Sequence, residues 1–98
     1  MLLVVAYDVA TSDERAGARR LRRVAKVCVS YGIRVQKSVF EMQVGQKEWV
    51  ELKAKLLAEI DPAQDSLRVY FLDEASRHRV EHHGIERPPN VVEDPLVL

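Results

Sequence analysis

The chain has 98 residues, one cysteine, and fifteen basic against fifteen acidic side chains, for a net charge of zero. That length makes one domain with a modest core, to which a second subunit would add. Balanced charge confines any nucleic-acid surface to a local patch, and the lone Cys28 excludes an intramolecular disulfide and fits a reducing cytoplasm.

The first predicted element is a strand from Leu2 to Val9, an apolar run long enough to be buried on both faces. Alternation places Leu3, Val5, Tyr7 and Val9 on one face and Leu2, Val4, Ala6 and Asp8 on the other. Asp8 is the anomaly. A carboxylate buried without a partner costs several kcal/mol, so it ionises against a cation, pairs with a base, or shifts its pKa. It reads either as a functional carboxylate at a strand end or as a residue that only caps a turn. The segment has no basic leader region and Asp8 breaks its apolar run, so neither a signal peptide nor a membrane span is expected.

Thr11 and Glu14 have capping-box spacing, with Ser12 and Asp13 as rival N-caps. A helix is predicted from there to about Tyr31, stopped by Gly32. Leu21, Val24, Ala25, Cys28 and Tyr31 recur at helical spacing as its apolar stripe, which makes Cys28 a core residue. Arg15, Arg19, Arg22 and Lys26 form a line about 180° from that stripe, flanked by Arg20 and Arg23. Such a line is commonly a solvated helix face. Only Glu14 lies near to offset it, so it is also a footprint for phosphates.

Ile33 to Val44 is β-branched and alternating, and too long for one strand; a bend near Lys37-Ser38 divides it. Gln46 to Ile60 is the second helix, with Trp49, Leu52, Leu56, Leu57 and Ile60 inward and Glu51 spaced to pair with Lys55. Asp61-Pro62 ends it. Ser66 to Leu72 is a strand, and Arg79 to His83 is read as a further short one. The order is β-α-β-β-α-β, an α+β ferredoxin-like plan with an antiparallel sheet plus a short C-terminal strand, the domain covering residues 1–86 and an extended tail 87–98. The sheet face opposite the helices needs cover, and a two-fold copy of the chain is the simplest cover.

On a two-fold axis Asp8 meets its symmetry mate, and two carboxylates repel unless a cation lies between them. Oxygen-only ligation favours Mg²⁺, or Mn²⁺, over zinc, and such a cation suits phosphodiester hydrolysis. His78, His82 and His83 are the rival metal set. They lie in a segment without helical periodicity, so surface positions are expected for them. There is no glycine-rich phosphate loop and no serine or cysteine nucleophile motif.

Tyr7-Asp8 at the end of the first strand, Arg22-Arg23-Val24-Ala25-Lys26 in the first helix, and Tyr31 through Glu41 (YGIRVQKSVFE) form an ordered series, continued by Ile60-Asp61-Pro62 and Asp65 to Tyr70. The series resembles the CRISPR-associated endonuclease family, the smaller of the two core CRISPR adaptation proteins. The resemblance covers essentially the whole chain. It implies a ferredoxin-like homodimer whose C-terminal segment crosses to its partner's sheet. It also implies a bridge between two copies of the CRISPR integrase dimer, supporting spacer acquisition, and Mg²⁺-dependent cleavage of RNA or double-stranded DNA. On the matching positions, Asp8 would be the catalytic metal ligand with Tyr7 beside it, and Arg23, Arg34, Ser38 and Phe40 would serve substrate contact or activity. The stretch from Asp8 to Gly32 is longer than in shorter members, so the resemblance assigns nothing to Arg15, Arg19 or Arg20. Residue by residue there are plainer readings: Phe40 packs in the core, Ser38 bonds local backbone, and Arg34 pairs a carboxylate. At the level of function the alternatives are a non-catalytic DNA-binding scaffold and, more remotely, a toxin-like ribonuclease of the same fold.

Overall fold

The computed structural model describes residues 1–85. The elements are β1 (Leu2–Asp8), α1 (Glu14–Val29), β2 (Gly32–Gln36), β3 (Val39–Gln43), α2 (Gln46–Glu59) and β4 (Ser66–Leu72), followed by a short 3-10 helix over Glu74–Arg79. The strands make one antiparallel sheet in the order β2-β3-β1-β4. This is the ferredoxin-like arrangement expected from the element order, and no helix among the described residues is long and apolar enough to cross a membrane. The expected domain boundary at 86–87 and the extended tail lie outside the described residues.

Period-two alternation decides which side of the sheet is covered. Leu3, Val5 and Tyr7 of β1 join Phe40 and Met42 of β3 beneath Val24 and Cys28 of α1 and Leu52 and Leu56 of α2, all buried. Full burial of each large apolar side chain contributes about 1.5–3 kcal/mol. Register ties the two halves together, with Val5 opposite Phe40 on one side and Val69 on the other. The helices cover this face alone. On the other face Val4 and Ala6 are half-buried, and Ile33, Val35, Tyr70 and Leu72 are exposed.

The strand division falls where the sequence placed it. Lys37 and Ser38 form the turn between β2 and β3. β2 carries an irregularity at Val35, because Arg34 lies opposite Phe40 and Gln36 opposite Val39, two steps on one strand against one on the other. Tyr7 N–H donates to the Ser38 carbonyl at 3.1 Å, tying the turn to β1.

Other expectations need correction. Asp8 is exposed, because it ends β1 on the sheet face opposite the helices, beside Ser66 of β4. The argument that its carboxylate must be buried therefore does not apply. α1 ends at Val29 rather than Tyr31, since Ser30 and Tyr31 donate back to Val27 and Cys28 at 3.1 and 3.0 Å and tighten the last turn. Gly32 opens β2 instead of stopping the helix. A Cβ there would strike the Met42 side chain and the Glu41 carbonyl, so close strand packing explains the glycine. Helix α1 starts at Glu14 after Asp13, and no side chain caps it, so the Thr11–Glu14 box is not formed. In α2 half of such a box does form, with Gly45 N–H donating to Glu48 Oε1 at 2.8 Å. Leu21 and Leu57, expected in the apolar stripes, are 37% and 51% exposed. Lys55 turns to the Tyr31 hydroxyl rather than to Glu51. Arg79 to His83 is not a strand. The Asp73 carbonyl accepts from Ser76 N–H at 2.9 Å where the 3-10 helix begins, and residues 80–83 have no regular structure.

Candidate functional site

At its end β1 runs out from under the helices between two shallow depressions. One is bounded by Tyr7, Asp8, Leu21, Arg34, Lys37 and Ser38. The other is bounded by Ala6, Asp8, Ser66, Arg68 and Tyr70. Asp8 is the shared rim. Among the described residues its carboxylate has no ion pair. Arg34 and Lys37 lie on one side of it and Arg68 on the other, so a free carboxylate sits among basic side chains at an open strand end.

Each neighbour is held by a local reason. Arg34 projects onto the covered face, with its guanidinium 5.1 Å from the centre of the Phe40 ring, a cation–π contact. Its Nε is buried and has no hydrogen-bond partner. Buried donors are rarely left unmet, which sets this one apart among the described residues. Phe40 is fully buried and stacks on Tyr7 at 6.1 Å, so it seats Arg34 and has no surface for a polynucleotide. Burial pushes the Tyr7 hydroxyl pKa up, partly offset by the Arg34 guanidinium beside it. The same hydroxyl donates to the Lys37 carbonyl at 3.4 Å, and Ser38 contributes its carbonyl to β1. Arg68 donates to the Tyr70 hydroxyl at 3.2 Å, which holds it on the outer face of the sheet.

The arginine line is a separate surface. Arg19, Arg22, Arg23 and Lys26 bound a depression on the outside of α1, while Arg15 lies exposed in the helix's first turn. Only Arg23 has a carboxylate within 4 Å among the described residues, Glu59 at 3.9 Å. Arg20 leaves the line. Its Nε donates to Asp65 Oδ2 at 2.8 Å, and its terminal nitrogen reaches Asp65 Oδ1 and the Ala10 carbonyl. The Asp65 side chain has no exposed surface and also accepts from the backbone N–H groups of Ala10 and Asp61. It therefore pins the loop after β1, the middle of α1 and the loop before β4. The Arg20 guanidinium beside it holds its carboxyl below the usual carboxylate range.

Sequence reasoning missed this pair, and it missed Lys37 and Arg68 as neighbours of Asp8. The register of β1 against β4, with Ala6 opposite Arg68, is the signal that would have found Arg68. The histidines are all exposed; His83 contacts Glu81 at 2.6 Å and His82 the Gly84 carbonyl at 3.1 Å. No three of His, Cys, Asp and Glu converge among the described residues.

Residues 1–80 match the family model described as CRISPR associated protein Cas2. The chain belongs to the Cas2 family. It is 53% identical over its full length, and over the full length of the relative, to a CRISPR-associated endoribonuclease Cas2 of Chlorobaculum tepidum. A relative in Halalkalibacterium halodurans, 46% identical with both chains covered completely, is a CRISPR-associated endonuclease Cas2. The crystal structure of Streptococcus pyogenes Cas2 at pH 6.5 superposes with a TM-score of 0.76 at 48% identity, over 86% of this chain and all of that one.

Proposed function

We propose that this Cas2-family chain works in CRISPR adaptation as a homodimer, with an Mg²⁺-dependent phosphodiesterase site built on Asp8. The observation that carries this reading is the free, exposed Asp8 carboxylate flanked by Arg34, Lys37 and Arg68. The relatives named as endoribonuclease and endonuclease point the same way. The donor set fits the metal, since Mg²⁺ keeps several waters and takes one or two carboxylates, and each protomer offers one with no ion pair among the described residues. Mn²⁺ would suit the same oxygens. Such a cation would supply a more acidic water and screen the phosphate charge.

The rest of the work falls to the chain. Arg34, Lys37 and Arg68 neutralise the phosphate and hold it beside Asp8. Water oxygen bonds to phosphorus and gives up a proton to solvent, the bond from phosphorus to the leaving sugar oxygen breaks, and that oxygen takes a proton from solvent. Tyr7 and Phe40 keep Arg34 in place, and Ser38 keeps its turn against β1. The uncovered sheet face, where Ile33, Val35, Tyr70 and Leu72 are exposed and where Asp8 also lies, is where a second copy would bring a second carboxylate. A cleavage assay on RNA and on double-stranded DNA, with Mg²⁺ titrated, tests the reading. Wild-type cleavage should rise with metal and Asp8→Asn should abolish it while remaining a folded dimer. Undiminished cleavage by that variant would sink the site.

A second reading rests on its own observation, the exposed line of Arg15, Arg19, Arg22, Arg23 and Lys26. It makes the dimer a scaffold that tracks DNA backbone in a cytoplasmic complex with the CRISPR integrase. Spacer integration that survives Asp8→Asn but fails when Arg19 and Arg22 are reversed in charge would favour the scaffold. The opposite pattern would count against it.

A further inference from the structure

Between α1 and α2 lies a groove of about 340 Å³, bounded by Arg23, Lys26, Val27 and Tyr31 on one side and Lys55 and Glu59 on the other. It is on the helical side of the molecule, apart from Asp8. Its volume is in the range of small-ligand sites. Three cations face one carboxylate there. Lys26 and Lys55 have no ion pair among the described residues, and the Arg23–Glu59 contact is long, at 3.9 Å, with Arg23 mostly in solvent.

The hydrogen bonds give the groove a polarity. Lys55 Nζ donates to the Tyr31 hydroxyl at 2.8 Å and sits 5.1 Å from the centre of its ring. Because that oxygen accepts from Lys55, its own proton is left to donate. The carbonyls at the end of α1, which would repel an anion, are already engaged: Lys26 O accepts from Ser30 Oγ at 3.2 Å, and Val27 O and Cys28 O accept from backbone N–H groups. What remains is a cluster of donors and positive charge beside a half-buried aromatic ring and the apolar side of Val27. The bond to Tyr31 keeps Lys55 more firmly protonated than a free lysine.

We infer that this groove binds a phosphorylated nucleoside, its phosphate held by Lys26, Lys55 and the Tyr31 hydroxyl and its body lying along Val27 and Tyr31. Charge-assisted donors suit the phosphate, and an aromatic edge beside an aliphatic wall suits a base. Inorganic phosphate would use only half of the groove. Two sources share the chemistry, a free nucleotide and the phosphorylated end of a strand. Arg23 and Lys26 also border the outer depression of α1, so a strand on the arginine line passes the mouth of the groove. The strand-end form of the inference rests on the proposed nucleic-acid surface; the free-nucleotide form does not.

Calorimetric titration of the full chain separates these outcomes. Saturable binding of AMP, at least tenfold tighter than inorganic phosphate, is expected. A short 5′-phosphorylated oligonucleotide should outcompete its unphosphorylated twin if strand ends are the source. Tyr31→Phe with Lys55→Gln should weaken AMP at least tenfold with unchanged far-ultraviolet dichroism, and should leave duplex binding intact. Arg22→Gln should do the reverse, weakening duplex and sparing AMP. No saturable AMP binding by wild type, or equal binding by the double variant, overturns the inference. Wild type that binds AMP but no duplex would overturn the nucleic-acid reading and leave the groove standing.

Discussion

Asp8 and Asp65 stand at the same end of the sheet, one closing β1 and the other leading into β4, where Asp8 lies opposite Ser66. Asp65 has no exposed side-chain surface, an arginine on both oxygens, and two backbone N–H donors besides. Asp8 is exposed and has no ion pair among the described residues. A carboxylate with all its acceptor capacity used stabilises the fold and has nothing to offer a substrate. One that the fold leaves free, yet surrounds with cations, can bind a metal or orient a phosphate without loss of stability.

The sharpest way to break that contrast is to remove each carboxylate and ask what fails. Asp65→Ala leaves two backbone donors and the Arg20 guanidinium without their partner. Loss of one partner of a buried, hydrogen-bonded pair costs about 3 kcal/mol. For a domain of this size that lowers the melting temperature by at least about 10 °C, readable by calorimetry. Asp8→Asn should shift stability by under about 0.5 kcal/mol, as a surface substitution does. Its expected effect is on cleavage, a loss of at least about a hundredfold, or about 2.7 kcal/mol in the barrier. If Asp8→Asn unfolds the protein, or if Asp65→Ala leaves its stability unchanged, the division of labour is wrong.

Acid separates the same two groups more gently. The folded chain holds the Asp65 carboxyl below its ordinary value of 3.8. Between the two values the unfolded chain binds the extra proton, so lowering the pH favours unfolding. The stability that Asp65 supplies is complete at neutral pH. It declines as pH drops below about 4–5 and is gone once the folded group is protonated. Urea midpoints followed from neutral pH down to about 2.5 should show this decline in wild type and in Asp8→Asn. Asp65→Asn should flatten it. An acid limb that Asp65→Asn leaves unchanged would assign the proton to another carboxylate, with Asp61, also held low by Gln64 and Ala63, the next candidate.

What could be read in advance divides along the same line. Alternation in β1 and β-branching around Val35 and Val39 sufficed for the sheet, and the excess length of that stretch revealed the turn at Lys37-Ser38. These are local patterns. Whether Asp8 is covered depends on which face of the sheet the helices pack against, a tertiary fact, so its exposure was not legible. The Arg20–Asp65 bond joins positions 45 residues apart, and Arg20 looks like every other arginine of its helix in sequence. Arg79 to His83 had strand-like spacing but no neighbouring strand to pair with among the described residues, and the preceding segment, Glu74–Arg79, is a 3-10 helix.

The arginines carry the smallest of these effects and the finest test. Arg20 and Arg22 are two residues apart on α1, yet Arg20 reaches Asp65 and Ala10 while Arg22 borders only the outer depression. Arg20→Gln should therefore lower the melting temperature, by less than Asp65→Ala does, because Asp65 keeps its two backbone donors. Its effect on duplex binding should be no larger than its effect on folding. Arg22→Gln should leave the melting temperature where it was and reduce the salt slope of duplex binding by about one phosphate contact. The slope is the informative quantity, since general misfolding lowers affinity at every salt concentration and only a lost phosphate contact flattens the dependence. Equal slopes for wild type and Arg22→Gln would remove the outer face of α1 from the nucleic-acid surface and leave Arg34, Lys37 and Arg68 as its basic side chains.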